Sequence, residues 1–149
     1  MTSAAIRTAR PGDHAAIVAV ADAWWGRPIS HILPRLFLDH FAPTSLFAED
    51  TAGTAGFLVG FDSPAAADAA YIHMVAVRPD LRRSGLAAGL YGRFLAGAAE
   101  RGRPVVRAVT SPVNTGSIAF HRAMGFAVTG PVADYDGPGL DRMVFERRG

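Results

Sequence analysis

A short run of basic and small residues, Arg82 to Ala87, has the composition of an anion-binding turn. It follows the most strand-like run of the chain, Ala70–Val77, and a helical pattern opens at Gly85. The first turn of a helix has unpaired backbone N–H groups and the positive end of the helix dipole, and both favour a phosphate. Arg82 and Arg83 add positive charge with bidentate geometry. The alternative interpretation is an ordinary strand-to-helix turn with solvated arginines.

A second segment, Asn114–Phe126, favours the anion-binding interpretation over the ordinary turn. Together the two segments resemble the GNAT family of N-acetyltransferases. The first family pattern, R/Q-x-x-G-x-G/A after a strand, is matched by Arg82, Gly85 and Ala87. The second pattern, N-x-x-A/S-x-x-F/L-Y/H-x-x-x-G-F, is matched by Asn114, Ser117, Phe120, His121, Gly125 and Phe126.

The resemblance implies an enzyme that uses acetyl-CoA as cosubstrate and transfers its acetyl group to a primary amine by direct attack in a ternary complex. Acetyl-CoA would lie in a cleft between the strands Ala70–Val77 and Val105–Val109, which splay apart in the family. The residues that the resemblance assigns to cofactor binding are Val75, Ala76, Val77, Arg82, Arg83, Ser84, Gly85, Leu86, Ala87, Asn114 and Ser117. The rival hypothesis is a CoA-binding sensor or interaction module without catalysis.

Two histidines are candidates for proton transfer. His121 stands where many family members have a tyrosine that protonates the departing thiolate, and its alternative role is packing on a short helix. His73 lies on the central strand where some members have a glutamate that deprotonates the amine. A histidine titrates near neutral pH, which suits a base. The alternative for His73 is a core histidine with satisfied hydrogen bonds.

The acceptor pocket would, by the resemblance, be built from the first two helices and the loop before the last strand. Its tentative residues are Trp25 and Arg27 on one side and Tyr135 and Asp136 on the other. An aromatic wall beside Arg27 suits a substrate with a carboxylate, whereas Asp136 and its neighbour Asp134 suit a cationic amine. The acceptor is a small molecule or a peptide N-terminus, and the sequence does not choose between them.

The elements that must position these residues follow from periodicity and turn signals. Apolar residues at helical spacing predict a first helix after Asp13, which is the candidate cap, and Ile32–Phe41 predicts a second short helix. The predicted order is β-α-α-β-β-β-α-β-α-β-β. The fold class is α/β (α+β), a GNAT-like mixed, mostly antiparallel sheet of six to seven strands with helices on both faces. Residues 1–149 are expected to form a single N-acetyltransferase domain.

Composition narrows the classes of partner. The 149 residues include no cysteine and no lysine, and the net charge is only +2. The absence of cysteine excludes disulfides and thiolate metal sites, and no metal site is predicted. No nucleic-acid partner is expected because the arginines form no long stripe, and no membrane partner because no apolar run approaches the ~20 residues of a membrane span. A cytoplasmic location is expected.

A homodimer is predicted from the C-terminal strands. The resemblance favours a dimer because dimers are common in the family. Met143-Val144-Phe145 is also apolar enough to require burial. If this strand lies at the edge of the sheet, its unpaired backbone groups favour pairing with another chain.

Overall fold

The computed structural model describes residues 4–149. Its strands are β1 (Ala5–Thr8), β2 (Leu46–Asp50), β3 (Gly53–Asp62), β4 (Ala69–Val77), β5 (Val105–Thr110), β6 (Ala127–Val132) and β7 (Arg142–Arg148). Its α-helices are α1 (Asp13–Trp25), α2 (Leu36–Phe41), α3 (Leu86–Glu100) and α4 (Thr115–Ala123). Short 3-10 helices occupy Ser30–Ile32, Ala42–Thr44 and Pro79–Leu81. The predicted order of strands and α-helices is confirmed. Within the described residues, no helix is both long and apolar enough to cross a membrane.

The seven strands are hydrogen-bonded in the order β1-β2-β3-β4-β5-β7-β6. The pairs β1–β2, β2–β3, β5–β7 and β6–β7 are antiparallel. The pair β4–β5 is parallel, with Ala69–Tyr71 opposite Val105–Arg107. The predicted mixed, mostly antiparallel sheet is therefore confirmed, with seven strands.

The chain divides into two compact units. Unit 1 contains the described part of residues 1–61 together with Ile72–Gly97, and unit 2 contains Asp62–Tyr71 and Ala98–Gly149. Strand β4 and helix α3 each contribute to both units. That the chain forms one domain stays a prediction.

The core of unit 1 lies against α1. Ile17 and Ala21 are fully buried on this helix, and the Trp24 ring stacks on Phe57 with a centroid separation of 6.1 Å. Helical spacing of apolar residues predicts this face because residues three and four apart share one side of a helix. The neighbouring Trp25 is also half-buried against the same core.

A glycine in β3 allows the start of α3 to lie close to the strands of unit 1. A Cβ atom added to Gly56 would come within 3.0 Å of the Ala76 carbonyl oxygen and 3.3 Å of the Leu86 side chain. A side chain here would therefore push against both β4 and the first turn of α3. The position of that turn depends on the absence of a side chain at Gly56.

The core of unit 2 collects apolar residues from β5, β7 and the turn after α4. Phe145 is fully buried, and Val106 and Phe126 are at most 4% exposed. Gly125 follows α4 with a φ of +87°, a left-handed conformation that glycine adopts without steric cost. Gly125 therefore ends the turn that follows α4.

Two predicted details of the first helices are wrong. The predicted helix Ile32–Phe41 is interrupted, because a 3-10 turn ends at Ile32 and α2 begins only at Leu36. The residue before Pro34 is restricted to extended conformations, which separates the two turns. Asp13 is the first residue of α1 rather than its cap. Its carboxylate accepts the Arg10 N–H (2.8 Å) and two bonds from Arg7 (2.9 Å each).

The predicted edge strand is also wrong. β7 contains Met143-Val144-Phe145 and is paired on both sides, with β5 and with β6. The strand beyond it, β6, has mostly exposed side chains, a register irregularity between Thr129 and Val132, and Pro131, which lacks an N–H group. These features discourage pairing with another chain. The edge-strand argument for the homodimer therefore does not hold, and the homodimer stays a prediction.

Candidate functional site

The segment 82–88 contains the end of the connection from β4 and the first turn of α3, and two of its residues have a left-handed conformation. Gly85 has a φ of +89°, and Arg83 has a φ of +64°, which is uncommon for a residue with a side chain. A Cβ atom on Gly85 would have no neighbour within 4 Å, so the space beside its backbone is open. The left-handed conformation of Arg83 is energetically unfavourable, and the backbone at Gly85 is open to a ligand.

The first turn of α3 has free hydrogen-bond donors. The first N–H of the helix to reach a backbone carbonyl is that of Gly89, which donates to Gly85 O at 2.9 Å. The Leu86 N–H has a long bond of 3.3 Å to Ser84 Oγ. Within residues 4–149, the N–H groups of Ala87 and Ala88 donate to no acceptor. This is the arrangement that binds an anion at a helix N-terminus.

The arginines around this segment have different roles. Arg78 is a structural anchor, since its guanidinium donates to both carboxylate oxygens of Asp50 (3.0 and 2.6 Å) and to Asp80 (2.7 Å). Arg82 donates from Nη2 to the Trp24 carbonyl oxygen at 2.6 Å. Arg83 is exposed and makes no hydrogen bond within the described part of the chain. Arg82 and Arg83 therefore keep donors available for a ligand.

Before this segment, β4 ends with Val75, Ala76 and Val77. Their predicted contacts with the cofactor come from the end of this strand. All three residues are half-buried. Their role in cofactor binding stays a prediction.

His73, on β4, is fixed by two contacts within unit 1. Its Nε2 lies 2.7 Å from the Ile32 carbonyl oxygen, and its ring stacks on Phe37 with a centroid distance of 4.2 Å. Because a carbonyl only accepts, Nε2 carries the proton, and the neutral ring has its lone pair on Nδ1. Burial lowers the pKa of His73 below its usual 6.5, although the bond to Ile32 acts in the opposite direction. At neutral pH, His73 is therefore an oriented, uncharged imidazole.

His121, on α4, lies in the core of unit 2 and is 4% exposed. Its Nδ1 donates to the Ser117 carbonyl oxygen at 2.7 Å, and its ring stacks on Phe145 at 3.9 Å. Burial lowers the pKa of His121 as well. A neutral ring whose single proton is donated to a carbonyl is poorly suited to deliver that proton elsewhere. These contacts favour the packing alternative for His121.

Asn114 and Ser117 interact with each other. Asn114 is the N-cap of α4, and its Oδ1 accepts the Ser117 N–H at 3.2 Å, while its Nδ2 donates to Thr110 Oγ1 at 3.3 Å. The cap satisfies one of the free donors at the helix start. Asn114 is exposed, and its predicted cofactor contact is not tested.

The tentative acceptor residues occupy two places, one in each unit. In unit 1, Trp25 ends α1 and is half-buried, and Arg27 follows it in an exposed position. In unit 2, Tyr135 is 47% exposed, and Asp136 accepts a bond from Arg142 Nε at 2.8 Å.

The acidic residues of the loop before β7 are used within the loop itself. Asp134 accepts the Gly139 N–H at 2.7 Å, and the Asp134 N–H donates to Asp141 at 2.9 Å. Because Asp136 is paired with Arg142, the attraction of this loop for a cationic amine is weaker than its composition indicates. The structure does not bring a free carboxylate pair to this place.

Tyr71 is a residue that the sequence reasoning missed. It is half-buried on β4. Burial, together with the nearby Tyr135 and Asp136, raises the pKa of Tyr71 to about 12. Its position two residues before His73 in an alternating strand was the signal that could have identified it. Tyr71 keeps its phenolic proton at neutral pH and can donate a hydrogen bond.

Comparison with known protein families identifies the family of this chain. A model of the acetyltransferase (GNAT) family matches residues 14–126, which is most of the chain. The chain belongs to this family. The resemblance predicted from the two sequence patterns is thereby confirmed, and so is the prediction of an acetyltransferase. Membership also supports acetyl-CoA as the cosubstrate.

Solved structures show the same fold at low identity. Ard1 from Thermoplasma volcanium is 20% identical with a TM-score of 0.83, and the match covers 99% of this chain and 98% of that one. Diaminobutyrate acetyltransferase EctA from Paenibacillus lautus, in complex with L-2,4-diaminobutyric acid and coenzyme A, is 20% identical with a TM-score of 0.79, over 99% and 96%. The protein yncA from Salmonella typhimurium, with acetyl-CoA, is 22% identical with a TM-score of 0.75, over 99% and 94%. Comparison with curated protein sequences gave no match.

Proposed function

We propose that this acetyltransferase transfers the acetyl group of acetyl-CoA directly to a primary amine. The observation that carries the proposal is the set of free backbone donors at the start of α3, next to Gly85 and two arginines with available N–H groups. A pyrophosphate supplies the negative charge and the acceptor oxygens that such a helix start favours. Two structural neighbours were solved with acetyl-CoA or coenzyme A, which supports the same ligand here.

His73 is the proposed base. An alkylamine has a pKa near that of lysine, about 10, so it must lose a proton before its nitrogen can attack a thioester. Nδ1 of His73 has the lone pair to accept this proton, directly or through a water, while the bond from Nε2 to Ile32 holds the ring in orientation. The new bond joins the amine nitrogen to the acetyl carbon, the carbon–sulfur bond breaks, and CoA leaves as the thiolate. The nitrogen loses its second proton to solvent as the amide forms.

His121 is proposed to act in packing. Its ring is enclosed by Phe145 and Phe126 and is bonded to its own helix. The CoA thiolate is a good leaving group and takes its proton readily from solvent, so the reaction does not need a buried acid. The kinetics and stability of His121→Phe distinguish packing from proton delivery by His121.

The acceptor is proposed to be a small molecule or a peptide N-terminus. The exposed Arg27 beside the half-buried Trp25 supports a substrate with a carboxylate, because a guanidinium pairs with a carboxylate in bidentate geometry. The bond from Arg142 to Asp136 weakens the argument that this loop attracts a cationic amine. A homodimer and a cytoplasmic location complete the proposal as predictions from the sequence alone.

A mixture of metabolites and short peptides incubated with the protein and acetyl-CoA tests the proposal. We expect products whose masses are raised by one acetyl group, together with release of free CoA thiol. Gly85→Asp is the matched control, since it should remove the products at moderate acetyl-CoA concentration. Calorimetric binding of CoA without thiol release from any amine would support the sensor module instead. No binding of CoA at all would contradict both.

A further inference from the structure

The loop at the start of α3 is connected to the end of α1 by one side chain. Arg82 Nη2 donates to the Trp24 carbonyl oxygen at 2.6 Å, and Trp24 is the last residue but one of α1. The last carbonyls of a helix have no partner within the helix and carry the negative end of its dipole. A guanidinium is therefore well placed there, and it belongs to the same loop as the free N–H groups of Ala87 and Ala88.

The segment that begins at Trp24 is held by a series of further bonds. We call residues 24–33 the acceptor-side segment, because Trp25 and Arg27 lie on it. Gly26 turns the chain with a φ of +75°, and its N–H donates to Asp22 O at 2.9 Å. The carboxylate of Asp22 then accepts the N–H groups of Ile29 and Ser30, both at 2.8 Å.

The far end of the acceptor-side segment is fixed by two histidines. His73 Nε2 bonds to the Ile32 carbonyl oxygen at 2.7 Å, and His14 Nε2 bonds to the Leu33 carbonyl oxygen at 2.9 Å. The segment is thus attached at one end to the proposed phosphate loop, through Arg82, and at the other to the proposed base.

We infer that Arg82 is a positioning residue that couples occupancy of the phosphate loop to the position of the acceptor-side segment. The inference rests on the proposed function, since it takes the ligand of the loop to be CoA. It adds that binding of the CoA pyrophosphate stabilises the arrangement of Trp24, Trp25 and the residues that follow. Arg82 therefore prepares the acceptor side in addition to binding the cosubstrate.

The physical basis is the number of donors on one guanidinium. Arginine has five N–H donors in a rigid plane, and one bond to Trp24 O leaves others for a phosphate oxygen. An anion on the Ala87 and Ala88 N–H groups would hold the guanidinium from one side while Trp24 O holds it from the other. A ligand shifts a conformational equilibrium only through contacts that differ between the states, and this bridge is such a contact.

Arg83 provides a matched comparison. It has the same charge, lies next to Arg82 in the loop and is exposed, but no hydrogen bond joins it to α1 within the described residues. Both arginines should strengthen CoA binding through charge. Only Arg82 should transmit that binding to the acceptor-side segment.

Tryptophan fluorescence reports on this segment directly, because Trp24 and Trp25 are the only two tryptophans of the chain. CoA is titrated into the unmodified protein and into Arg82→Gln, Arg82→Lys and Arg83→Gln. Calorimetry measures the affinity of each protein separately, so that fluorescence amplitudes are compared at saturation. Hydrogen exchange at the amides of residues 24–26 of the unmodified protein, with and without CoA, measures the same coupling without any variant.

We expect a fluorescence change on CoA binding that is retained at saturation in Arg83→Gln, mostly lost in Arg82→Gln and partly retained in Arg82→Lys. Exchange at residues 24–26 should slow when CoA binds. Equal saturating amplitudes in Arg82→Gln and the unmodified protein would overturn the coupling and leave the proposed function intact, as would exchange unaffected by CoA. Absence of calorimetric binding in the unmodified protein would overturn the proposed function itself.

Discussion

The two segments with the family patterns, 82–88 and 114–126, use their polar groups in opposite ways. In the first, the N–H groups of Ala87 and Ala88 have no acceptor within residues 4–149, and the space beside Gly85 is open. In the second, the Asn114 side chain caps the N–H of Ser117, and the carbonyl oxygen of Ser117 accepts the proton of His121. One segment presents donors outward, whereas the other satisfies them internally.

The difference shows that a match to a family pattern identifies equivalent positions but does not determine the role of the residue at each position. Every helix begins with N–H groups that have no partner within the helix, so solvent or a ligand must satisfy them. Those at the start of α3 lie beside the open space at Gly85 and two arginines, which suits the binding of an anion. Donors and acceptors that are paired within one short helix stabilise that helix. The two candidate histidines follow this division, since His73 retains a usable lone pair and His121 is enclosed by aromatic rings.

The largest effect is expected from loss of the imidazole at His73. His73→Gln keeps an N–H donor for the Ile32 carbonyl oxygen but has no basic nitrogen. General base catalysis is typically worth about 10²–10⁴-fold, so kcat should fall by that factor with little change in the affinity for acetyl-CoA. Steady-state kinetics on any accepted amine, with calorimetry for acetyl-CoA, measures both quantities.

The pH profile is the control for this assignment. Because burial lowers the pKa of His73, the base should become protonated and inactive only below its usual 6.5, so kcat/KM should decline on the acid side of that value. In His73→Gln this acid limb should disappear. A variant with near wild-type kcat and an unchanged acid limb would remove His73 from the mechanism.

The next effect concerns the phosphate loop. Gly85→Asp places a carboxylate beside the free donors and requires a side chain at a φ of +89°. Affinity for acetyl-CoA should fall tenfold or more, which corresponds to a loss of about 1.4 kcal/mol or more. Calorimetric titration measures the change.

Gly102→Asp is the matched control at the other end of α3. Gly102 also has a positive φ, +78°, and open space around its Cβ position. Its carboxylate lies at the negative end of the helix dipole, so this variant should be at least as destabilised as Gly85→Asp. If both variants lose acetyl-CoA affinity equally, the loss at Gly85 reflects general destabilisation and the phosphate loop is wrongly assigned.

A smaller effect is expected at His121. His121→Phe keeps an aromatic ring against Phe145 but loses the bond to Ser117 O, so the free energy of unfolding should fall by about 1–2 kcal/mol while kcat changes little. Burial lowers the folded-state pKa of His121, so the unfolded chain binds more protons and wild-type stability is lost as the pH falls below 6.5. Phenylalanine does not titrate, so the stability gap should narrow between pH 7.5 and pH 5. Denaturant titrations at both pH values test this.

The opposite result at His121 would restore the alternative role. A kcat reduced by about 10²-fold, with unfolding free energy preserved, is what loss of a general acid produces. His121→Tyr, which returns a proton donor common in the family, would then recover part of the rate.

Much of the fold was predictable because its signals are local. The helical spacing of apolar residues in α1, the turn at Asp50–Gly53 and the glycine after α4 are each signalled by residues that are close together in the sequence. The position of β7 inside the sheet was not predictable, because pairing on both sides depends on residues far apart in the chain. Its apolar residues indicate burial but do not say whether another strand or another chain provides it.

The candidate site was predictable in composition but not in hydrogen bonding. The sequence places arginines and glycine at the start of α3, yet it cannot show that Arg82 reaches the Trp24 carbonyl oxygen. The sequence also places Asp136 in the loop before β7. Whether Arg142 donates a hydrogen bond to the Asp136 carboxylate depends on the conformation of that loop. Such pairings depend on the backbone path rather than on residue type.

The smallest effect separates two roles of Asn114. Asn114→Ala removes the N-cap of α4 and should lower the free energy of unfolding by about 1 kcal/mol. Asn114→Asp keeps an oxygen for the Ser117 N–H and adds a charge that suits a helix start, so its stability should equal or exceed that of the unmodified protein. Thermal or denaturant unfolding measures the stability of both variants, and calorimetry measures their affinity for acetyl-CoA.

If Asn114 is only a cap, Asn114→Asp binds acetyl-CoA with the affinity of the unmodified protein. Reduced affinity in both variants, despite the restored stability of Asn114→Asp, would show that the amide also contacts the cosubstrate, and segment 114–126 would then share the binding role of segment 82–88.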